Sequence, residues 1–150
     1  MKSMKSLAIF SAAMVSALAA TPQAASAQPV ENPVLYLTGI EYYTTASGNF
    51  VRYRYDVLNK DSYPAAMFAA APDLPPCGRN TNSSRTWVDF FNARTNQRLY
   101  GFCALGSPEN LGRIWFATPE GDVPPSYIYI ELIDRQTNTR YRSNNADTVM

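Results

Sequence analysis

The chain has 150 residues, and its 13 basic and 12 acidic side chains nearly balance. A chain of this length forms one ordinary domain, and its near-neutral charge provides no long-range field that would draw it to nucleic acid. It contains no histidine, which excludes Ser-His and Cys-His nucleophilic pairs, histidine general bases and histidine-ligated zinc or haem.

The amino terminus has the pattern of an export signal. Two lysines precede an uncharged, alanine-rich run of 14 residues (7–20), and a small-residue Ala-Ser-Ala motif follows. This order is typical of a secretory signal peptide, here residues 1–27, with cleavage between Ala27 and Gln28. A membrane anchor is the alternative, but a span needs about 20 apolar residues. The leader resembles bacterial ones, so we expect the product in the periplasm or outside the cell.

Cleavage would leave residues 28–150 as a single domain with 11 basic and 12 acidic side chains. Ten of the basic residues are arginines, and Lys60 is the exception. The arginines are scattered and form no basic stripe, so we expect neither nucleic-acid binding nor a membrane span after the leader is removed.

Hydrophobicity alternates with a period of two through most of this domain. In residues 50–57, Val51 and Tyr53 fall on one face, whereas Arg52 and Arg54 fall on the other. Such alternation indicates half-buried strands, and short polar turns separate several of them. The seven predicted strands are residues 34–45, 50–57, 84–92, 97–105, 111–118, 126–134 and 139–143.

One long segment does not fit this pattern. Residues 60–82 contain the apolar run Ala-Ala-Met-Phe-Ala-Ala-Ala and then a proline-rich approach to Cys77. The segment is either an extra edge strand or a covered loop. An even number of cysteines in an exported protein predicts a structural disulfide between Cys77 and Cys103. That bond would pin the end of the segment.

Seven short antiparallel strands in about 110 residues predict an all-β fold, an antiparallel β-sandwich with one disulfide. Residues 124–132, Pro-Pro-Ser-Tyr-Ile-Tyr-Ile-Glu-Leu, resemble the penultimate strand of immunoglobulin-like and fibronectin type III-like domains. The resemblance implies a binding or spacer module and places Tyr127 at the tyrosine-corner position. The long 60–82 insertion and the position of the cysteines depart from the antibody pattern.

Carboxylates are the main residues that could support catalysis in a chain without histidine. Pairs can be drawn from Asp56, Asp89, Glu131 and Asp134, and a pair about 5 to 10 Å apart would suit a glycoside hydrolase. Acids scattered singly on strands are more often solvent-facing charges, so we predict no catalytic residue. A calcium site would need the oxygens of residues 56–61 and 80–82, but Asn/Asp clusters usually serve turns. We expect no metal and no cofactor.

The excess of aromatic residues and arginine indicates recognition instead. Tyr42 and Tyr43 are adjacent, so they point to opposite faces of a strand and one of them lies near the surface. Together with Arg52 and Arg54 they form the predicted binding surface, because tyrosine and arginine are enriched at interfaces. The alternative is that these arginines only pair with Glu41 and Asp56. We predict a non-catalytic binding module for an envelope or extracellular protein or a glycan. A carboxylate-dependent hydrolase and a small protease inhibitor are the other candidates.

Overall fold

A computed structural model of the chain describes residues 29–79 and 83–150. The predicted signal peptide, its cleavage site at Ala27–Gln28, and two of the asparagines weighed for calcium, Asn80 and Asn82, lie outside these ranges. The described strands are β1 (Leu35–Thr45), β2 (Gly48–Val57), β3 (Thr86–Asn92), β4 (Arg98–Phe102), β5 (Ile114–Pro119), β6 (Tyr127–Asp134), β7 (Thr139–Arg142) and β8 (Ala146–Asp147).

The strands form two antiparallel sheets, as predicted. The first sheet has the order β1-β2-β5. The second has the order β4-β3-β6-β7, and β8 pairs with the beginning of β6. Two polar turns within the second sheet carry an asparagine in the left-handed region, Asn96 (φ 60°) before β4 and Asn138 (φ 57°) before β7. Asparagine tolerates this conformation better than most residues, so both turns suit their sequences.

The core lies between the two sheets and is built from the inward face of each strand. On β2, Val51 through Val57 alternate as expected, with every second residue buried. Tyr55 and Phe116 of the first sheet pack on Phe90 of the second, with ring centroids 5.7 and 5.8 Å apart. Each of these three residues is no more than 1% exposed. Large buried aromatic residues dominate the energetics of a core of this size.

The 60–82 segment is a covered loop that contributes to the core. Its described part contains two short 3-10 helices, Lys60–Ser62 and Ala65–Phe68, and buries Met67 and Phe68. An isolated bridge pairs Ala70 with Ser84, and the described part of the segment contains no strand. The predicted disulfide is formed, and the Cα atoms of Cys77 and Cys103 lie 6.0 Å apart.

Apart from shifts of one or two residues at strand ends and the additional strand β8, the structure differs from the predictions in three places. A 3-10 helix, Pro108–Arg113, includes the first residues of the predicted 111–118 strand, because a helical turn begins at Pro108. The strand predicted over 97–105 ends at Phe102. Tyr127 is 52% exposed, so its ring does not pack at a tyrosine corner, whereas Tyr129, two residues later, is buried.

Candidate functional site

The predicted binding residues lie on the first sheet, on the face that points away from the core. Cross-strand pairing places Glu41 of β1 beside Arg52 of β2, and Arg52 beside Ala117 of β5. The neighbouring rows contain Arg54 with Trp115, and Tyr43 with Phe50. The alternation that buries Val51 through Val57 is therefore what brings these side chains to the outer face.

Arg52 is held on three sides. Its Nη1 donates to Glu41 Oε1 at 2.9 Å. Its guanidinium carbon lies 4.4 Å from the ring centroid of Tyr43 and 4.5 Å from that of Trp115. Both distances fall within the range of cation–π attraction, which is worth about 0.5 to 2 kcal/mol according to exposure. Arg52 is therefore fixed between two rings, and 24% of its side chain is exposed.

Arg54 shares the same carboxylate. Its Nε and Nη2 lie 2.9 and 2.8 Å from Glu41 Oε1. The hydrogen bonds from Arg54 and Arg52 lower the pKa of Glu41, so the carboxylate stays ionised at neutral pH. Two cations thus converge on one anion. We call the group Glu41, Tyr43, Arg52, Arg54 and Trp115 the arginine–aromatic patch; its net charge is positive.

Three of the four predicted binding residues belong to this patch, and Tyr42 does not. Tyr42 pairs with Val51, whose side chain points to the core, so it projects from the opposite face to Tyr43. It lies near the turn that joins β1 and β2 and is 73% exposed. The prediction that adjacent tyrosines take opposite faces is confirmed, but Tyr42 lies apart from the arginines.

Trp115 is the member that sequence reasoning missed. The alternation in 111–118 places it on the face opposite the buried Ile114 and Phe116. That signal was present, but the sequence does not show that β5 is the neighbour of β2. Trp115 also stacks on Tyr100 of β4, with centroids 4.7 Å apart, so the patch continues to the rim of the second sheet.

The carboxylates considered for catalysis are each held by a cation. Asp89 pairs with Arg98 and Glu131 with Arg140, both at 3.0 Å. Asp56 and Asp134 pair with Lys60 and Arg85, at 2.8 and 2.7 Å respectively.

Two of these carboxyl groups have lowered pKa values. The pKa of Asp134 is lowered chiefly by hydrogen bonds from Arg85. Burial acts to raise the pKa of Asp56, but hydrogen bonds from Lys60, Tyr36 and its own backbone outweigh it and leave the pKa lowered. A carboxyl group whose pKa is lowered is ionised at neutral pH and is poorly suited to act as a general acid.

None of these four carboxylates lines either of two open cavities, although Arg85, the partner of Asp134, lines the second. One of about 340 Å³ lies between β1 and the carboxyl-terminal residues and has Asp147 as its single acidic lining residue. Another of about 290 Å³ lies beside residues 66–74 and has only Asp73. Glycoside hydrolysis by the usual route needs two carboxyl groups facing one substrate bond, and neither cavity provides that pair.

Two of the residues weighed as calcium ligands, Asp56 and Asn59, have structural roles. Asn59 accepts a hydrogen bond from the Val34 backbone at 2.9 Å and donates one to Asn32. The carboxylate of Asp56 accepts a hydrogen bond from Lys60 Nζ at 2.8 Å. Within residues 29–79 and 83–150, no three acidic or cysteine side chains are grouped closely enough to hold a metal ion.

Comparison with known proteins finds no matching family model, no similar characterised protein and no similar solved structure. In the described part of the chain, no helix is long and apolar enough to cross a membrane.

Proposed function

We propose that this chain is an exported binding module that contacts its partner, a protein or a glycan of the cell envelope or the extracellular space, through the arginine–aromatic patch. The observation that carries the proposal is the position of Arg52, which is fixed between Tyr43 and Trp115 and bonded to Glu41. Binding through a side chain that is already ordered loses little conformational entropy.

The composition of the patch supports this role. Tryptophan, tyrosine and arginine are the residues that most often dominate binding energy at interfaces. The patch offers both stacking rings and planar donors, which suits a protein surface or a sugar ring. The disulfide is compatible with an oxidising compartment, and the signal-peptide pattern adds sequence support for export.

The sheet arrangement supports an immunoglobulin-like or fibronectin type III-like domain. In immunoglobulin sandwiches the first, second and fifth strands share one sheet, and the third, sixth and seventh share the other. β1-β2-β5 and β3-β6-β7 follow this division. β4 pairs with β3, as the additional C′ strand does in variable-type domains. Such domains commonly serve as binding modules, although fold alone does not establish function.

Binding is favoured over the two alternatives on different grounds. A carboxylate-dependent hydrolase needs one acid that is protonated at working pH, but Asp56 and Asp134 are held ionised by cations. A protease inhibitor would present a rigid loop, whereas the ordered arginine and aromatic side chains lie on a sheet face.

The test is capture from a periplasmic extract with the purified protein as bait, followed by affinity measurement with the partner identified. We expect Arg52→Lys to weaken binding by about tenfold, because lysine keeps the charge but loses the planar contact with both rings. Tyr43→Leu should have a similar effect. Arg113→Gln, an exposed arginine outside the patch, serves as the control. A partner that binds the wild type and both patch variants equally would contradict the proposal, as would recovery of no partner under several conditions.

A further inference from the structure

A second arginine-rich surface covers the outer face of the second sheet along β4, β3, β6 and β7, on the opposite side of the sandwich. Because Val88 and Phe90 point to the core, the alternate residues of β3 point outward. Register then sets Asp89 beside Glu131 of β6, and Glu131 beside Arg142 of β7. We call this surface the second-sheet face. Its main outward side chains are Trp87, Asp89, Phe91, Arg98, Tyr129, Glu131, Ile133, Arg135, Arg140 and Arg142.

Two arginines on this face lie over aromatic rings. The guanidinium carbon of Arg142 is 3.8 Å from the ring centroid of Tyr129, and that of Arg135 is 4.0 Å from the ring centroid of Trp87. Tyr129 is only 3% exposed although it points away from the core. A guanidinium that contacts a ring keeps N–H groups that can bind a carboxylate through two parallel hydrogen bonds.

The face has an excess of positive charge. It contains four arginines against two carboxylates, and Asp89 and Glu131 compensate Arg98 and Arg140. Arg135 donates to the backbone carbonyls of Ser84 and Pro75. Arg142 is exposed and forms no ion pair with any described residue. The complement of this surface is therefore an anion.

The dimensions of the face favour an extended anionic chain. Four strands spaced about 4.8 Å apart give a width of about 19 Å, and strands of four to eight residues give a length of about 13 to 27 Å. The flat area is then about 400 Å², below the roughly 800 Å² that each partner contributes to a standard protein interface. A stiff sugar chain also loses less conformational entropy on such a surface than an unfolded acidic peptide.

We propose that the second-sheet face binds a linear polysaccharide bearing carboxylate groups. The site is separate from the arginine–aromatic patch and shares with the proposed function only the premise that the protein is exported. One molecule could then engage a partner with the first sheet and an acidic glycan with the second. This proposal can fail while the patch proposal stands, because different residues carry each.

The test titrates the purified protein with polygalacturonate and with its methyl-esterified, uncharged form. We expect binding of the charged polymer only, with weakening as salt rises from about 0.05 to 0.5 M. Arg142→Gln should raise the dissociation constant about tenfold, and Arg98→Gln, at the other side of the face, should raise it less because Asp89 already binds that guanidinium. Arg113→Gln removes the same charge elsewhere, and Arg52→Lys alters the other patch; both should bind as the wild type does.

Several outcomes would overturn the proposal. Absence of binding to polygalacturonate is one, and equal binding of the esterified polymer is another. Equal weakening by Arg113→Gln and Arg142→Gln would show that only net charge matters. Tighter binding of polyglutamate would assign the face to an acidic polypeptide. Thermal unfolding of each variant establishes that the weakened binding occurs in folded protein.

Discussion

At the scale of single residues, Asp134 illustrates how a buried charge depends on its partner. Its side chain is 4% exposed and accepts two hydrogen bonds from Arg85, at 2.9 and 2.7 Å. Removing one member of such a pair leaves the other charge without compensation. We therefore expect Asp134→Asn to lower the free energy of unfolding by about 3 kcal/mol at pH 7, measured by urea denaturation.

The stabilisation that the Asp134–Arg85 pair provides should decrease at low pH. Because Arg85 lowers the pKa of Asp134 in the folded state, the stabilisation is complete above the unfolded-state pKa of about 3.9 and is lost as pH falls through the lower folded value. The difference between wild type and Asp134→Asn should narrow below about pH 4. Asp122→Asn, at an exposed acid, should change little at any pH. A difference for Asp134→Asn that stays constant down to pH 2 would contradict the ion-pair explanation.

Gly101 lies beside the ion pair between Arg98 and Asp89, and its lack of a side chain leaves space for that pair. A Cβ atom at this position would overlap Nη2 of Arg98 and Oδ1 of Asp89. The Arg98 side chain is 59% exposed and can swing into solvent, so we expect Gly101→Ala to cost no more than about 1 kcal/mol. The loss of unfolding free energy caused by Gly101→Ala should be smaller in an Arg98→Ala background. Chemical denaturation of the wild type, the two single variants and the double variant measures this difference. Gly39→Ala, where no atom lies within 4 Å of the new Cβ, is the matched control; equal costs at both glycines would refute the steric argument.

At the scale of elements, β8 is a strand that no sequence pattern could predict. The strand has two residues, too few for any period to be visible. It is held by the chain around it: the buried Tyr55 hydroxyl donates to the backbone carbonyl of Asp147 at 2.8 Å, and Thr148 donates to the carbonyl of Pro125. Long-range contacts of this kind leave no local signature.

Tyr55→Phe tests this attachment, because it removes the hydroxyl and keeps the ring in the core. We expect a loss of about 1 kcal/mol in unfolding free energy, together with faster amide hydrogen exchange at residues 146–148. Tyr100→Phe is the control, since the Tyr100 ring stacks on Trp115 and its hydroxyl makes no hydrogen bond to the described residues. Unchanged exchange in Tyr55→Phe would mean that other contacts hold β8.

The seven longer strands could be predicted because each is a short run of alternating or mostly apolar residues next to a polar turn or a proline-containing segment, as in Val51 through Val57. The 3-10 helices could not, because Ala65–Phe68 shows neither a helical repeat nor strand alternation. The candidate site was predictable in part for the same reason. Alternation placed Arg52 and Arg54 on one face, but the contribution of Trp115 depends on strand order.

At the scale of the whole molecule, strand order and surface burial follow from tertiary packing. Nothing in the sequence shows that β5 joins the first sheet while β4 joins the second. The burial of Tyr129 on an outward face was equally unpredictable, because the side chains that cover it, Arg142 and Phe91, come from neighbouring strands. The assembly of both sheets is therefore what brings Trp115 to the arginine–aromatic patch and places Arg142 over Tyr129.

The disulfide also acts on the whole molecule, since it joins the 60–82 segment to the residue that follows β4. Closing 26 residues between Cys77 and Cys103 should stabilise the fold by about 3.5 kcal/mol in the chain-entropy model, mainly by restricting the unfolded chain. We expect the Cys77→Ser/Cys103→Ser variant to lose about this much in urea denaturation. Reductant should lower the wild type to the level of the variant and leave the variant unchanged. A loss below about 1 kcal/mol would show that the packing of Met67 and Phe68 holds the segment without the covalent bond.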